Sequence, residues 1–228
     1  MTSAVALESI ERTTLNELAY ERLKRALLSG RIERGMTLTL RQLARELGTS
    51  VMPVRDAVTR LSAEQALMVI PNRGICIPPL SEKEAADLWR LRINLEGEAS
   101  AQAARKANKT DRALITKLCT QVRQAVEAGD LHRLLEHNSD FQFSIYQAAG
   151  SPISLRIIEM LRMKALPHCT AALRYMLAQK PPYLENTLDY HDGLAAAIAA
   201  GDPKGARYFK RIDLKELHEL VKEIGIEP

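Results

Sequence analysis

The sequence predicts a mainly α fold, in which an N-terminal winged helix-turn-helix precedes an all-helical antiparallel bundle of about six helices. Leu and Ala dominate the apolar residues of the 228-residue chain and aromatic residues make up only 4%, a bias that favours helix over sheet. Two short helical patterns flank Gly48 and are followed by a hairpin pattern, which is the element order of a winged helix-turn-helix. Beyond Pro79 the chain carries only amphipathic helical patterns with short polar links, which is typical of a bundle.

The N-terminal region contains three predicted helices and one predicted hairpin. The first helical stripe comprises Leu15, Leu18, Ala19, Leu23, Ala26 and Leu27 and ends at Gly30, and the second runs from Leu40 to Leu47 before Gly48. Ser50 is predicted to cap a third helix, whose apolar positions are Val54, Ala57, Val58 and Leu61. Apolar runs at 67–70 and 75–77 flank a Pro-Asn-Arg-Gly turn, a pattern that predicts a β-hairpin.

Two adjacent prolines, Pro78 and Pro79, mark a predicted domain boundary, which divides the chain into residues 1–79 and 80–228. Proline cannot continue a helix or a strand ladder, and Ser81 with Glu84 has the spacing of a capping box that opens the next helix. The predicted helices after the boundary span residues 81–107, 111–128, 130–149, 152–178, 184–200 and 203–224.

The composition predicts a cytoplasmic protein without a membrane partner. No apolar run is long enough to cross a bilayer, and the sequence MTSAVALESIERTT lacks the apolar core of a signal peptide. The three cysteines are widely spaced and form no metal-binding pair, which is typical of free thiols in a reducing compartment. The net charge is +4, and residues 1–79 contain 11 Lys and Arg against 8 Asp and Glu.

Candidate DNA-binding residues lie on the third helix and beside it. Because its apolar positions are needed for a core, this helix is expected to present outward Ser50, Met52, Arg55, Asp56, Thr59 and Arg60. Arg41 opens the preceding helix, and Arg73 and Gly74 lie at the hairpin tip. Arginine suits bidentate contacts with phosphate and guanine, so this set predicts binding to double-stranded DNA. Solvated charges on a small helical subdomain are the alternative.

Residues 38–80 contain the sequences PVRDAV and NRG and resemble the winged-helix domain of the GntR family. The upstream sequence LLSGRIERGMTL is similar to the segment that joins the first two helices in that family. The resemblance implies DNA contacts by Arg41, Ser50, Arg55 and Gly74. Val51 stands where the family usually has Arg, which removes one expected DNA contact and predicts a different operator or affinity.

The region after the boundary resembles the FCD effector domain of the FadR-type subfamily, in its shorter VanR-like version. The resemblance rests on RLRINLEGEASAQAA, FQFSIYQAAGSP and YHDGLAAAIAAGDPKGA. It implies a homodimer and a cavity inside the bundle that binds a small carboxylate. It also implies, in many members, a divalent metal ion held by one Asp and three His.

Four predicted helices carry polar residues on otherwise apolar stripes. Arg92 shares a stripe with Leu88, Leu95 and Ala99, and a core-facing guanidinium needs an anion. Either an organic acid or a bundle carboxylate such as that of Glu96 can supply that anion. The other inward polar residues are Asn138, Gln142, His191 and Asp213. We expect these residues and Arg92 to converge on one effector cavity, with a satisfied buried histidine as the alternative for His191.

The metal site implied by the family is degenerate in this sequence. Motif alignment places Asn138, Gln142, His191 and Asp213 at the four ligand positions. Amides are weak ligands for zinc or nickel, so a metal would depend on His191 and Asp213, and a hard cation bound by oxygen remains the alternative. We expect no tightly bound transition metal and direct hydrogen bonds from Asn138 and Gln142 to the effector.

The predicted function is a ligand-responsive transcription regulator, expected to act as a repressor, that binds a palindromic operator as a homodimer. A small organic acid in the helical domain is expected to control its operator affinity. A metal-dependent helical-bundle enzyme is disfavoured because the chain has no HExxH, nucleophile elbow or P-loop, and no catalytic residue is assigned. An architectural DNA-binding protein without a sensor is the other alternative, and it predicts that Arg92, Asn138, Gln142 and His191 do not share a cavity.

Overall fold

A computed structural model describes residues 15–28, 30–32, 35–71, 73–179 and 182–225. The described residues form nine helices and one two-stranded sheet, in agreement with the predicted mainly α fold. The N-terminal elements are α1 (Leu15–Leu28), α2 (Leu40–Leu47), α3 (Val51–Ala63), β1 (Met68–Ile70) and β2 (Gly74–Cys76). Asn72 of the hairpin turn and parts of the 28–39 segment lie outside the described residues.

Six helices follow the hairpin, as the sequence predicted. They are α4 (Glu82–Lys106), α5 (Lys109–Glu127), α6 (Leu131–Ala148), α7 (Pro152–Gln179), α8 (Pro182–Ala200) and α9 (Pro203–Glu223). α4 packs against α6, α7, α8 and α9, and α5 packs against α6 and α8. The short links between consecutive helices favour antiparallel neighbours. No helix in the described ranges is long and apolar enough to serve as a membrane span.

The N-terminal elements enclose a core of their own. α3 contributes Val54, Ala57, Val58 and Leu61, each no more than 2% exposed, which confirms the predicted inward face. The stripe of α1 is confirmed at Ala19, Leu23 and Leu27 but is wrong at its start. Leu15 and Leu18 are 64% and 46% exposed, because they lie in the first turn, ahead of the buried set.

The hairpin pairs β1 with β2 in antiparallel register, with Ile70 opposite Gly74. Leu38 adds an isolated bridge to Ile75 through two backbone hydrogen bonds of 2.8 and 2.7 Å. A Cβ on Gly74, whose φ is 134°, would lie 2.6 Å from the Leu38 carbonyl oxygen. The close approach of these two backbones therefore requires glycine at position 74.

Two of the predicted helix caps have the expected geometry. Ser81 and Glu84 form the predicted capping box of α4, and Gly48 ends α2 in the left-handed conformation, with φ 63°. The prediction that Ser50 caps α3 is wrong in one respect. Ser50 occupies the N-cap position, but its side chain makes no capping hydrogen bond, so its hydroxyl stays exposed beside the helix N-terminus.

α7 connects the bundle to the N-terminal elements. Met163 of α7 is 3% exposed and belongs to the N-terminal core. Lys24 of α1 and Glu159 of α7 form an ion pair at 2.6 Å, with both side chains largely shielded from solvent. α7 therefore packs in the bundle and also contacts the N-terminal elements. The domain boundary between residues 79 and 80 stays a prediction, and it lies in the connection between β2 and α4.

Candidate functional site

The outward face of α3 is exposed as predicted. The exposed residues on this face are Ser50, Met52, Arg55, Asp56, Thr59 and Arg60. Arg55 lies one turn from the helix N-terminus, where the backbone N–H groups favour anions. Among the described residues, Arg55 has no ion-pair partner, so its guanidinium is available to phosphate or guanine.

Three residues of the α3 face have intramolecular partners. Thr59 donates a hydrogen bond to the Arg55 carbonyl at 2.9 Å, and Asp56 accepts one from Asn16. The guanidinium of Arg60 forms an ion pair of 3.0 Å with Glu17 and lies 3.6 Å from the ring centroid of Tyr20. Arg60 therefore fastens α3 to α1, a role that the sequence did not predict.

The other predicted DNA-facing residues lie beside α3. Arg41 and Arg73 are exposed on α2 and on the hairpin turn. Gly74 has the backbone role described above, which explains its identity without a DNA contact. Val51, the residue at which the family resemblance led us to expect Arg, is partly buried and packs against the N-terminal core.

The five predicted effector residues line one internal cavity of about 40 Å³. Its other polar lining residues are Arg162, Cys169, Thr187 and Lys210, and its apolar lining residues are Leu173, Met176 and Leu217. The predicted convergence of Arg92, Asn138, Gln142, His191 and Asp213 is therefore present in the fold. An architectural DNA-binding protein without a sensor predicts that these residues do not share a cavity, so their arrangement disagrees with that alternative.

Glu96 is the central acceptor next to the cavity. It is fully buried, and its Oε1 accepts a hydrogen bond from Arg92 Nε at 2.7 Å. Its Oε2 accepts from the hydroxyl of Tyr146 and lies 3.4 Å from Arg162 Nη1. Of the two anions considered for Arg92, the carboxylate of Glu96 is thus the one that pairs with it in this structure.

Lys210 connects Glu96 to the predicted effector residues. Its side chain is 1% exposed, and its Nζ donates to Gln142 Oε1 at 2.8 Å and to Asp213 Oδ2 at 3.1 Å. The same Nζ lies 3.7 Å from Glu96 Oε2. His191 Nε2 lies 3.3 Å from Gln142 Nε2 and 3.6 Å from Asp213 Oδ1. One ammonium therefore lies among oxygens from α4, α6 and α9.

The buried cations determine the ionisation of the buried carboxyl groups. Burial opposes ionisation of Glu96, but the charges of Arg92, Lys210 and Arg162 outweigh it and lower its pKa to about 2. For Asp213, burial is likewise outweighed by Lys210 and His191, so its pKa lies well below the usual range. Both groups are therefore carboxylates at neutral pH.

Several polar atoms around the cavity have no partner. Among the described residues, Asn138 Oδ1, Arg162 Nε and His191 Nδ1 are buried without a hydrogen bond. Unpaired buried polar atoms are costly, so a molecule that satisfies them binds favourably. Arg162 Nε requires an acceptor and Asn138 Oδ1 requires a donor, and a small acid with a hydroxyl group offers both.

The residues present do not fit the divalent metal that the family resemblance implies. Two of the four positions carry amides, which are weak ligands for transition metals. The oxygens of Gln142 and Asp213 already accept hydrogen bonds from Lys210. Within the described ranges, no group of three or more His, Cys, Asp or Glu side chains has the geometry to hold a metal ion.

Lys210, Arg162 and Tyr146 were not predicted from the sequence as residues of the site. A signal for Lys210 was present, because it lies four residues after the buried Ala206 and three before Asp213, on the inward stripe of α9. Arg162 lies within α7, whose buried residues face both the cavity and the N-terminal core, so no one-sided stripe distinguished it.

Comparison with known families accounts for both parts of the chain. Residues 15–77 match the family described as bacterial regulatory proteins, gntR family, and residues 87–212 match the FCD domain. The chain belongs to the GntR family. The two matched segments lie on either side of the predicted boundary. The first contains the exposed α3 face, and the second contains the cavity-lining residues except Asp213 and Leu217, which follow its end.

Relatives within the GntR family match along most of the chain. The HTH-type transcriptional regulator McbR of Escherichia coli (strain K12) is 32% identical over 187 residues, which cover 82% of this chain and 83% of McbR. The solved structure of E. coli McbR/YncC has a TM-score of 0.82 at 28% identity and covers 93% of this chain and 99% of that chain. A probable D-xylose utilization operon transcriptional repressor of Paenarthrobacter nicotinovorans is 25% identical over 199 residues, covering 87% and 85%.

Membership in the GntR family confirms the predicted class of function. The chain is a DNA-binding transcription regulator with an FCD effector domain, and it is not an enzyme. The winged helix-turn-helix and the helical effector domain are both confirmed as elements of the fold. The VanR-like subtype stays a prediction.

Proposed function

We propose that a small organic acid binds in the cavity between α4, α6, α7, α8 and α9 and controls operator affinity. The observation that carries this proposal is the set of three buried cations, Arg92, Arg162 and Lys210, around a cavity with unpaired polar atoms. A carboxylate matches guanidinium and ammonium donors in charge and geometry. In this proposal Asn138, Gln142, His191 and Asp213 orient the acid and Arg92 helps to bind it.

The proposed DNA contacts come from α3 and its neighbours. Arg55, Met52 and Ser50 would enter the major groove, while Arg41, Arg73, Thr59 and the backbone at Gly74 would lie along the phosphates. Arg60 would contribute mainly by holding α3 against α1. We further propose a cytoplasmic homodimer on a palindromic operator, because two-fold protein symmetry matches two equivalent half-sites.

α7 offers the physical connection between the acid and the DNA. Its residues Arg162, Cys169, Leu173 and Met176 line the cavity, and Glu159 and Met163 contact the N-terminal elements. An acid that draws Arg162 away from Glu96 would shift α7 and, through it, α1 and α3. Effector binding and DNA binding are then coupled through one helix.

The proposed sign of regulation is repression that the acid relieves. One relative carries the name of a probable D-xylose utilization operon transcriptional repressor. In this scheme the protein has one conformation with high operator affinity and one with low operator affinity, and the acid binds the second more tightly.

Gel-shift binding tests this proposal directly. The DNA that flanks the gene of this protein is titrated with the full chain, with and without a panel of short organic acids. We expect a specific complex that one acid dissociates. A specific complex that no acid affects would favour the architectural alternative. Folded protein that binds none of these fragments would count against an operator at this locus and require a genome-wide binding assay.

A further inference from the structure

The ammonium of Lys210 lies among the side chains at which the family resemblance places a divalent metal. We propose that Lys210 is the fixed cation of the effector site, so that the site binds a singly charged acid without a metal ion. This inference rests on the proposed function, because it concerns the same cavity. It goes beyond that function in naming the group that replaces the metal and the charge of the ligand.

The contacts of Lys210 place its ammonium where the family resemblance would place the metal ion. Its Nζ lies 2.8 Å from Gln142 Oε1 and 3.1 Å from Asp213 Oδ2, which are two of the four positions that correspond to metal ligands. An ammonium has three donors and no acceptor. Two of these donors are used by Gln142 and Asp213, and Glu96 Oε2 lies at 3.7 Å, beyond hydrogen-bond distance, so one donor remains for a ligand. A divalent ion placed between the same oxygens would be repelled by this charge at short range.

The charges of the buried groups indicate a ligand with one negative charge. Three cations, Arg92, Arg162 and Lys210, face two carboxylates, Glu96 and Asp213. This leaves an excess of one positive charge before His191 is considered. Burying an unpaired charge is costly, so an acid with one negative charge completes the balance, whereas a diacid leaves an excess negative charge.

The size of the cavity agrees with a small ligand. A volume of about 40 Å³ has room for roughly three water-sized groups. A two-carbon acid such as glycolate has five non-hydrogen atoms, so the lining side chains must move slightly apart to admit it, and longer acids require a larger movement. Glycolate and succinate are therefore suitable probes, because they differ in the number of carboxylates and in length.

Calorimetric titration of the full chain after dialysis against EDTA tests the metal requirement. We expect the metal-free protein to bind glycolate, with an affinity about tenfold or more higher than its affinity for succinate. We also expect added Zn²⁺, Ni²⁺ or Mn²⁺ to leave the glycolate affinity unchanged. The metal content of the dialysed protein, measured by mass spectrometry, verifies that the protein is metal-free.

Substitution of Lys210 tests the residue itself. Lys210→Met removes the charge and keeps most of the side-chain length, and we expect glycolate affinity to fall by about tenfold or more, because hydrogen bonds to charged groups are the strong ones. Lys210→Arg keeps the charge and should retain more affinity than Lys210→Met. The matched control is Lys204→Met on the same helix, where the lysine is exposed, and it should bind glycolate as the unaltered chain does.

The outcomes separate this inference from the proposed function. Binding of glycolate only after a metal is restored, or unchanged binding by a folded Lys210→Met variant, would overturn the role of Lys210 while leaving an acid-binding cavity. Tighter binding of succinate would overturn the charge argument. Failure of every acid in the panel to bind, with or without metal, would overturn the proposed function as well. If Lys210→Met does not fold, Lys210→Gln and the metal-free titration of the unaltered chain decide the question.

Discussion

At the scale of single residues, the two candidate sites hold their arginines in different ways. Arg92 in the cavity is paired with Glu96 at 2.7 Å, and burial works against its charge while Glu96 raises its pKa. Arg55 on α3 is exposed, and no described residue forms an ion pair with it. Removing the partner of a buried arginine leaves an uncompensated buried charge, so Arg92 needs an anion at all times, whereas the exposed Arg55 is available to another molecule without losing a partner.

Arg55→Ala should remove specific operator binding while leaving the fold unchanged. A bidentate contact between arginine and a base contributes about 1–3 kcal/mol of discrimination, so we expect specific affinity to fall by about tenfold or more. Fluorescence anisotropy with operator and with unrelated DNA measures this loss. Arg133→Ala on α6 is the matched control, since Arg133 is also exposed. If Arg55→Ala still distinguishes operator from unrelated DNA, α3 does not read the bases through this residue.

The sequence was sufficient to predict which polar residues face inward, because this depends only on the local helical period. The inward stripes of α4, α6, α8 and α9 placed Arg92, Gln142, His191 and Asp213 toward one cavity, because the helical period alone determines which side a residue faces. The pairing partners could not be predicted in the same way. Lys210 meets Gln142 across 68 positions of sequence, and such contacts depend on how the helices pack.

At the scale of elements, α7 is the helix that contacts both the N-terminal core and the cavity. It contains 28 residues, which corresponds to about 42 Å, and it reaches from the N-terminal core to the cavity. Pro167 lies inside it and cannot donate the helical hydrogen bond to the Met163 carbonyl. The helix is therefore weakened between Met163, which packs in the N-terminal core, and Cys169, which lines the cavity.

Removing the ion pair between α1 and α7 should weaken coupling without weakening acid binding. In the Lys24→Ala variant we expect the effect of the acid on operator affinity to shrink by about threefold or more, within the usual range of coupling energies. Acid affinity in the absence of DNA should stay as in the unaltered chain. Acid titrations with and without operator measure both quantities.

The control for Lys24→Ala is Lys222→Ala, which removes an exposed ion pair with Glu219 inside α9. This control should leave coupling unchanged, because exposed pairs contribute little. Equal coupling in Lys24→Ala and in the unaltered chain would show that α7 does not transmit the signal through Lys24.

Helix boundaries were predictable because their determinants are local. The capping box at Ser81 and Glu84 and the left-handed Gly48 lie at the predicted ends, and each depends on residues within one turn. The bridge between Leu38 and Ile75 could not be predicted, because it joins segments that are distant in sequence and Leu38 has no strand neighbours of its own.

At the scale of the whole molecule, the buried charges connect folding to pH. The folded-state pKa of Glu96 is about 2, below its ordinary value of 4.5, and that of Asp213 is lowered too. A carboxyl group whose pKa is lowered by folding contributes its full stabilisation at pH values above its pKa in the unfolded chain. This contribution is lost as the pH falls toward and through its pKa in the folded state. The chain should therefore lose stability from about pH 4.5 toward pH 2.

Glu96→Gln should make the molecule less stable at neutral pH and less sensitive to acid. Removing one partner from a buried ionic network costs about 3–5 kcal/mol, so the free energy of unfolding at pH 7 should fall by that order. Its further decrease between about pH 4.5 and 2 should be smaller than in the unaltered chain. Urea unfolding at several pH values measures both effects. The exposed Glu127 provides the control Glu127→Gln, and equal pH dependence in the two variants would contradict the role of Glu96.

The position of Lys210 and Asp213 on the last described helix has a consequence for the protein during its synthesis. Glu96 leaves the ribosome more than a hundred residues before Lys210, its partner on α9, is made, while domains generally fold in N-terminal order as the chain grows. A nascent chain that already contains α3 therefore still lacks part of the proposed acid-binding site. Premature termination before α9 would remove the response to the acid while sparing every residue proposed to touch DNA.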